Sequence, residues 1–308
     1  MKNILVYEFF LNNDVSADEY IINEACFMVN FLLNFYLKYP KLFRVFIPIN
    51  NKYKYFKNKN VEYIEASKLF SFRFDEVVVI APEENYCLYN LLKKFKVDFT
   101  NYLSEDFVKY SSNKLKLYNK LCSKYSFIEP VYENPLNVPS EKIITKPIDG
   151  YGSCNTSVGD VNQICKLNKN YSKKFIFQKF HDKPICSANI LVNSKKSYVL
   201  SINEIVAKQK NNNIITEKII IGKHNNLLSK VNKITESIIK EFNIKKGVFG
   251  FDFILVNSHT IKIIDVNPRL TTSFFGLIES LPVNPLEYLY NLQNKFNIND
   301  HKVCEINL

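Results

Sequence analysis

The chain has 308 residues, 46% of them hydrophobic and 23% charged, the balance expected of a soluble globular protein with a full core and two or three domains, and disorder is not the expectation. Its formal net charge of +11 comes from lysines spread along the chain, with no tract of five or six consecutive basic residues, which speaks against a nucleic-acid-binding face while still suiting anionic small substrates such as nucleotides. No run approaches the roughly 20 apolar residues of a membrane span, and Glu8 interrupts the opening MKNILVYEFF with no small-residue cleavage site after it, so a first strand is expected there rather than a signal peptide, and no membrane partner.

Residues 1–103 read as an α/β layer. The runs ILVYEFF, FRVFIP, VEYIE and EVVVIA are short and rich in β-branched or aromatic residues, and helical patterns lie between some of them, which predicts a parallel sheet. The clearest helix opens on the capping box Ser16-Ala17-Asp18-Glu19 and runs to about Leu37, where Pro40 stops it. Glu19, Asn23, Asn30, Asn34 and Lys38 form its polar stripe, leaving Glu24 on the apolar side with Phe27, Met28 and Phe31. Glu8 ends the first strand, and ligands of open α/β sheets gather beyond such ends. Glu8 and Glu24 are therefore candidates for one crevice lined by Tyr7, Phe9, Phe27 and Phe31, where acids beside aromatic rings suit an ammonium group. The plainer alternative for each is an exposed or hydrogen-bonded acid.

After a boundary near residue 100, helical patterns run from Ser104 to Lys109 and from Ser112 to Lys124, and Pro130, Pro135 and Pro139 mark a connection. A β-run then ends at Lys146-Pro147 and leads into Asp149-Gly150-Tyr151-Gly152-Ser153. Only seven glycines occur in the chain and none precedes Gly150, which excludes a dinucleotide fingerprint in the first third. A loop with Gly150, Gly152 and Ser153 can bring backbone N–H groups to phosphate oxygens, and Lys146 would add a point charge; a type II turn is the alternative. Strands are expected at 175–180, 185–192, 198–207 and 214–221, followed by a helix from about Leu227 to Phe242. The cysteines (26, 87, 122, 154, 165, 186 and 304) are scattered without C-x-x-C spacing, as expected of reduced thiols in a cytoplasmic protein.

Gly247 to Ser273 carries the chemistry. Two apolar runs flank Asn257-Ser258-His259-Thr260, predicting a β-hairpin. Pairing Val256 with Ile261 puts Asp252 opposite Asp265, with Cβ atoms about 5 Å apart. Two carboxylates so placed repel each other unless a cation lies between them. Asn267 shares the face of Asp265, and Pro268 holds Asn267 extended. Asp252, Asp265 and Asn267 offer hard oxygen ligands suited to Mg²⁺, and Arg269 beside them suits phosphate or carboxylate oxygens. Two chance acids and an Asn-Pro turn are the alternative.

The run Asp265-Val266-Asn267-Pro268-Arg269 after a strand bearing Asp252 resembles the metal-binding signature of the ATP-grasp ligases, and Lys146-Pro147 with its glycine loop resembles the family's K-P-x-x-G-x-G-S element. The resemblance spans residues 104–280. It implies an N-terminal α/β domain (1–103) followed by a two-subdomain α+β ATP-grasp fold, with a central subdomain at 104–180 and a C-terminal subdomain at 181–308. It further implies that Lys114, after Asn113, reaches the nucleotide phosphates, although a solvated lysine is the local alternative. Gln178 would stand where an acid often contacts the adenine, and the backbone of Lys179 and His181 would pair with the ring edge. The INEACFM helix and the tail NPRLTTSFFGL look similar to the archaeal ligases that join tyramine to glutamate in methanofuran biosynthesis, which places Thr271 and Thr272 with Glu8 and Glu24 on the substrate side.

What the resemblance implies is ATP- and Mg²⁺-dependent amide formation through an acyl phosphate, with Mn²⁺ able to replace Mg²⁺ and small carboxylate and amine substrates as partners. Arg269 and Lys146 would be the catalytic cations. A homo-oligomer is compatible with it. A nucleotide-binding regulator would lack turnover, against which the intact Asp, Asp, Asn and Arg set argues; an RNA-binding protein would show salt-dependent polynucleotide affinity, against which the dispersed lysines argue.

Overall fold

Alternating apolar runs at the start of the chain form the expected parallel layer. The computed structural model describes residues 1–13, 19–48, 61–65, 67–99, 102–150, 155–168, 174–257, 260–293 and 295–307. Ser16, Ala17 and Asp18 of the capping box, and Tyr151, Gly152 and Ser153 of the glycine loop, lie outside them. Residues 1–82 and 87–99 pack as one unit, and 83–86 with 100–308 as a second.

In the first unit β1 (Lys2–Glu8), β2 (Phe43–Pro48), β3 (Val61–Ile64) and β4 (Glu76–Ile80) form an all-parallel sheet in the order β3-β2-β1-β4. Ile4, Leu5 and Val6 of central β1 are fully buried, as the continuous apolar run of a covered parallel strand requires. The first run does not stay extended to Phe10. It turns at Glu8 into α1 (Phe9–Asn12), because Glu8 Oε2 accepts the Leu11 N–H at 2.7 Å as an N-cap. The long helix α2 (Glu19–Lys38) exposes Asn23, Asn30 and Asn34 and buries Met28 and Phe31. Phe27 departs from expectation: it lies four residues after Asn23 and three before Asn30, on the exposed stripe, and is 55% exposed. Among the described residues, the remaining helix of this unit is α3 (Cys87–Lys94).

The second unit opens with α4 (Glu105–Ser111) and α5 (Lys114–Leu121). The latter starts two residues later than its pattern suggests, since Ser112 closes α4 and Asn113 caps α5 by accepting the Lys116 N–H at 2.9 Å. Lys114 thereby takes the first helical position. The rest comprises β5 (Lys142–Pro147), β6 (Ser157–Asp160), α6 (Val161–Asn168), β7 (Phe175–Lys179), β8 (Ile185–Val192), β9 (Ser197–Lys210), β10 (Asn213–Ile221), α7 (Leu228–Phe242), β11 (Gly247–Leu255), β12 (Ile261–Asn267), α8 (Thr272–Phe275), α9 (Leu277–Ser280), α10 (Leu286–Leu289) and β13 (Cys304–Asn307).

These strands form an antiparallel sheet in the order β12-β11-β8-β9-β10-β6-β5-β7, with β13 also on β10. It is two leaves in substance, because among the described residues Asn213 with Ser157 is the one ladder pair joining β10 to β6. The architecture is thus an α/β layer followed by an α+β body of two leaves. Period-two alternation divides β11 between two environments. Phe249, Phe251 and Phe253 are fully buried, and Phe249 meets Phe107 of α4, which also meets Phe242 of α7, at ring-centroid distances of 5.0 and 5.3 Å. Gly250 and Asp252 fall on the opposite face, beside Asn267, Asp265, Asn189 and Ser187 of the neighbouring strands. A Cβ on Gly250 would lie 3.0 Å from Thr271 Cγ2 and 3.2 Å from the Ala188 oxygen, so glycine there lets the segment after β12 fold back onto the sheet.

Candidate active site

β11 and β12 pair Asp252 with Asp265 and Gly250 with Asn267. The loop end, however, pairs Leu255 rather than Val256 with Ile261, one residue off the expected register. A bulge restores the acids to opposition: Phe253 pairs with Ile263 and Asp252 with Asp265, so Ile264 is the extra residue. Its carbonyl accepts from Lys146 Nζ at 3.5 Å. Burial and the Asp265 carboxylate push Asp252 up to about 7, against the pull of Lys146, Lys114 and Arg269. Lys146, buried at the end of β5, is brought down to about 8 by desolvation, with Lys114 adding to the effect and both aspartates opposing it.

Lys114 completes this cluster. Its backbone N–H donates to Ile148 O at 2.8 Å, docking the start of α5 beside the end of β5. Its Nζ lies 3.4 Å from Asp265 Oδ2 and donates to Gly150 O at 3.3 Å. The structure therefore brings together Lys114, Lys146, Gly150, Asp252, Asp265 and Asn267, drawn from four separate stretches of sequence.

Gln178 on β7 is 2% exposed, and its Oε1 has no hydrogen-bond partner among the described residues. It lines a cleft with Lys114, Glu129, Ile263 and Asp265. Phe177 exchanges both backbone bonds with Tyr132, each at 2.9 Å, while Phe180 N–H donates to Lys142 O. The alternation turns the backbone groups of Lys179 away from β5, towards the outer edge of the sheet's last strand. His181 is held by Glu129, whose Oε1 lies 2.9 Å from its Nε2. Sequence reasoning passed over Glu129; the available signal was an acid between Ile128 and Pro130 in a connecting segment, and it sits here because Glu129 N–H donates to Ile263 O at 2.9 Å, next to the hairpin bulge.

Arg269 is held by a second acid that the sequence reading did not single out. Its Nε donates to Glu83 Oε1 at 2.8 Å, its Nη2 to Glu83 Oε2 at 3.3 Å and its Nη1 to Leu270 O at 3.1 Å. Thr271 Oγ1 and Ser273 Oγ donate to Asn189 Oδ1 at 2.9 and 3.0 Å, and Thr272 begins α8. Glu8 and Glu24 belong to the first unit, where Glu8 is buried as the α1 cap and Glu24 is half-buried on α2.

An α/β layer leading into a two-leaved body, with a buried strand-end lysine facing a carboxylate hairpin, is the frame of an ATP-dependent ligase. A family model described as an ATP-grasp domain matches residues 111–273, more than half of the chain. The chain belongs to the ATP-grasp family, as a carbon–nitrogen ligase of the carboxylate–amine class that uses ATP. Among curated relatives, the tyramine–L-glutamate ligase of Methanocaldococcus jannaschii is 27% identical over 292 residues, 89% of this chain and 84% of the relative. An ATP-grasp superfamily protein from Archaeoglobus fulgidus superposes with a TM-score of 0.73 at 16% identity over 100% of both chains. The L-amino acid ligase from Bacillus licheniformis superposes with a TM-score of 0.65 at 16% identity, covering 94% of this chain and 73% of that one. No helix among the described residues is long and apolar enough to cross a membrane.

Proposed function

We propose that this enzyme joins L-glutamate to tyramine, forming the amide through a glutamyl phosphate with release of ADP and phosphate. The likeness to tyramine–L-glutamate ligase over 89% of the chain supports the substrate pair. The observation that carries the chemistry is the cluster of Lys114 and Lys146 against the facing Asp252 and Asp265. ATP as a substrate suits a cytoplasmic enzyme.

The residues present fit Mg²⁺ and a nucleotide. Among the described residues no three His, Cys, Asp or Glu side chains form a metal cluster by themselves, yet Mg²⁺ commonly takes one or two carboxylates and completes its shell with phosphate oxygens and water. Asp252, Asp265 and the Asn267 amide oxygen would hold it, and the burial and the repulsion from Asp265 that raise Asp252 are what a cation there offsets. Bound Mg²⁺ would supply charge neutralisation at the β- and γ-phosphate oxygens. The partnerless buried Oε1 of Gln178 and the outward backbone of Lys179 suit the donor and acceptor edge of adenine, with His181 at the rim.

Lys114 and Lys146 would bind phosphate oxygens and align the chain, together with the N–H groups of the loop carrying Gly150, Gly152 and Ser153. A carboxylate oxygen of glutamate attacks the γ-phosphorus and ADP leaves. The amine then attacks the acyl carbon, loses a proton, and phosphate departs, with Arg269 holding charge on the acyl oxygen and phosphate. Thr271 and Thr272, two and three residues after Arg269, would border the acid. Incubation with ATP, Mg²⁺, glutamate and hydroxylamine should give a hydroxamate, and added tyramine should divert it to the amide. If another acid reacts and glutamate does not, the substrate pair is wrong; if no acid in a broad panel stimulates ADP release, the site assignment falls.

A further inference from the structure

The segment 83–86 stands out because four consecutive residues reach three separate parts of the second unit. Glu83 bonds Arg269, which follows β12. Asn85 N–H donates to Asp149 Oδ2 at 2.8 Å, in the loop after β5 and next to Gly150. Lys116 Nζ, on the first turn of α5, donates to the Tyr86 hydroxyl at 2.7 Å. Those three elements carry Arg269, Gly150 and Lys114. The strap has a backbone to match: Asn85 and Tyr86 both adopt positive φ, 51° and 58°. Two successive left-handed residues, one of them an aromatic, persist only where the surroundings over-determine them, and such conformations concentrate at functional sites.

The Glu83–Arg269 pair is the part nearest the chemistry. Glu83 is buried at 4% exposure and Arg269 is mostly covered at 14%, and the contact is a two-pronged fork of charge-assisted bonds. A buried ion pair is weak as a source of stability, because desolvating both charges offsets much of their attraction. Its strength is geometric. With Nε and Nη2 on the carboxylate and Nη1 on the Leu270 carbonyl, the guanidinium plane has one orientation. Arg269 is also one Pro away from Asn267, and its charge is felt at Asp252.

We infer that Glu83 is a positioning residue for the ligase reaction: it orients the Arg269 guanidinium toward the reacting phosphate and acyl oxygens, and segment 83–86 locks that orientation to the glycine loop and to the start of α5. The inference rests on the role given to Arg269 above. An arginine that must meet a transferring phosphoryl group and then a tetrahedral carbon gains from being fixed beforehand, since displacement of a catalytic group by about 1 Å can cost roughly 100-fold in rate.

The test is a cycle on the full chain with Mg-ATP, glutamate and hydroxylamine, read as kcat and KM(ATP), with Tm measured alongside. Arg269→Gln and Glu83→Gln should each lower kcat, the latter by about 10- to 100-fold, with little change in KM(ATP). The double variant Glu83→Gln/Arg269→Gln should be no slower than Arg269→Gln alone, because residues that act as a unit are not additive. Glu83→Asp, which keeps the charge, should recover part of the rate. Wild-type kcat in Arg269→Gln would sink the role given to Arg269. A slow Arg269→Gln beside a wild-type rate in Glu83→Gln, or additive losses in the double variant, would overturn the positioning role alone. So would a Glu83→Gln whose Tm falls while kcat per folded molecule holds. If Glu83→Gln does not fold, Glu83→Asp decides, and an unchanged kcat there overturns the inference.

Discussion

The end of β1 and the β11–β12 hairpin each set an acid among apolar strand residues, and they accommodate it in opposite ways. Glu8, fully buried, turns its Oε2 onto the Leu11 N–H and so starts a helix. Asp252 faces Asp265 across the ladder and is pushed up to about 7 by desolvation and by that neighbouring carboxylate. The first acid contributes a hydrogen bond to the fold, whereas the second costs the fold energy in the absence of a cation. An acid set among apolar strand residues is thus read through its neighbours rather than its burial. The same rule separates Glu83, which has a guanidinium to hold, from either.

The sharpest way to break this contrast is Asp265→Asn. It should reduce ADP formation by orders of magnitude, since it removes a charged ligand from the proposed Mg²⁺ site, yet leave the Tm in metal-free buffer unchanged or higher. Turnover in saturating Mg²⁺ at the wild-type rate would overturn the ligand role, and a fall in Tm would make Asp265 a structural acid like Glu8.

The pH dependence sharpens the same point. Asp252 is raised from 3.8 to about 7, so between those values the folded state holds a proton that the unfolded state has lost. Metal-free stability should therefore decline as pH rises from about 4 through 7, and this share of the slope should vanish in Asp252→Asn. Denaturant titration across that range, compared with Asp252→Asn, measures it.

Glu8→Ala should move stability the other way from Asp265→Asn, with a loss of about 1 kcal/mol for the missing cap; urea unfolding of the two variants side by side would show whether the signs differ. The smallest effect is expected at Phe27. On its exposed stripe, Phe27→Ser should change stability by no more than about 0.5 kcal/mol, and a loss several times larger would mean that something covers this face of α2.

Much of this architecture is local in origin and could be read from the chain. The parallel layer follows from four short apolar runs and the start of α4 from Ser104, while α5 begins at the Asn113 cap rather than at the expected Ser112; the hairpin that carries Asp252 and Asp265 follows from its two apolar runs. Lys146 and Gly150 were legible as a charged strand end before a glycine loop, and Lys114 only through family resemblance. Tertiary structure decided the rest. The opposed acids depend on a bulge at Ile264 that no alternation announces, because one extra residue is set by what packs against the strand, here Lys146 and the 127–129 segment bonded to Ile263. Gln178 could be placed only by resemblance, and its partnerless oxygen is visible only in the folded chain. Glu129 with His181 and Glu83 with Arg269 join residues 52 and 186 positions apart. Periodicity and capping act over a helical turn or a strand, so they determine elements and faces; which charge meets which across the fold is determined by packing, where the cost of burying each ion selects its partner.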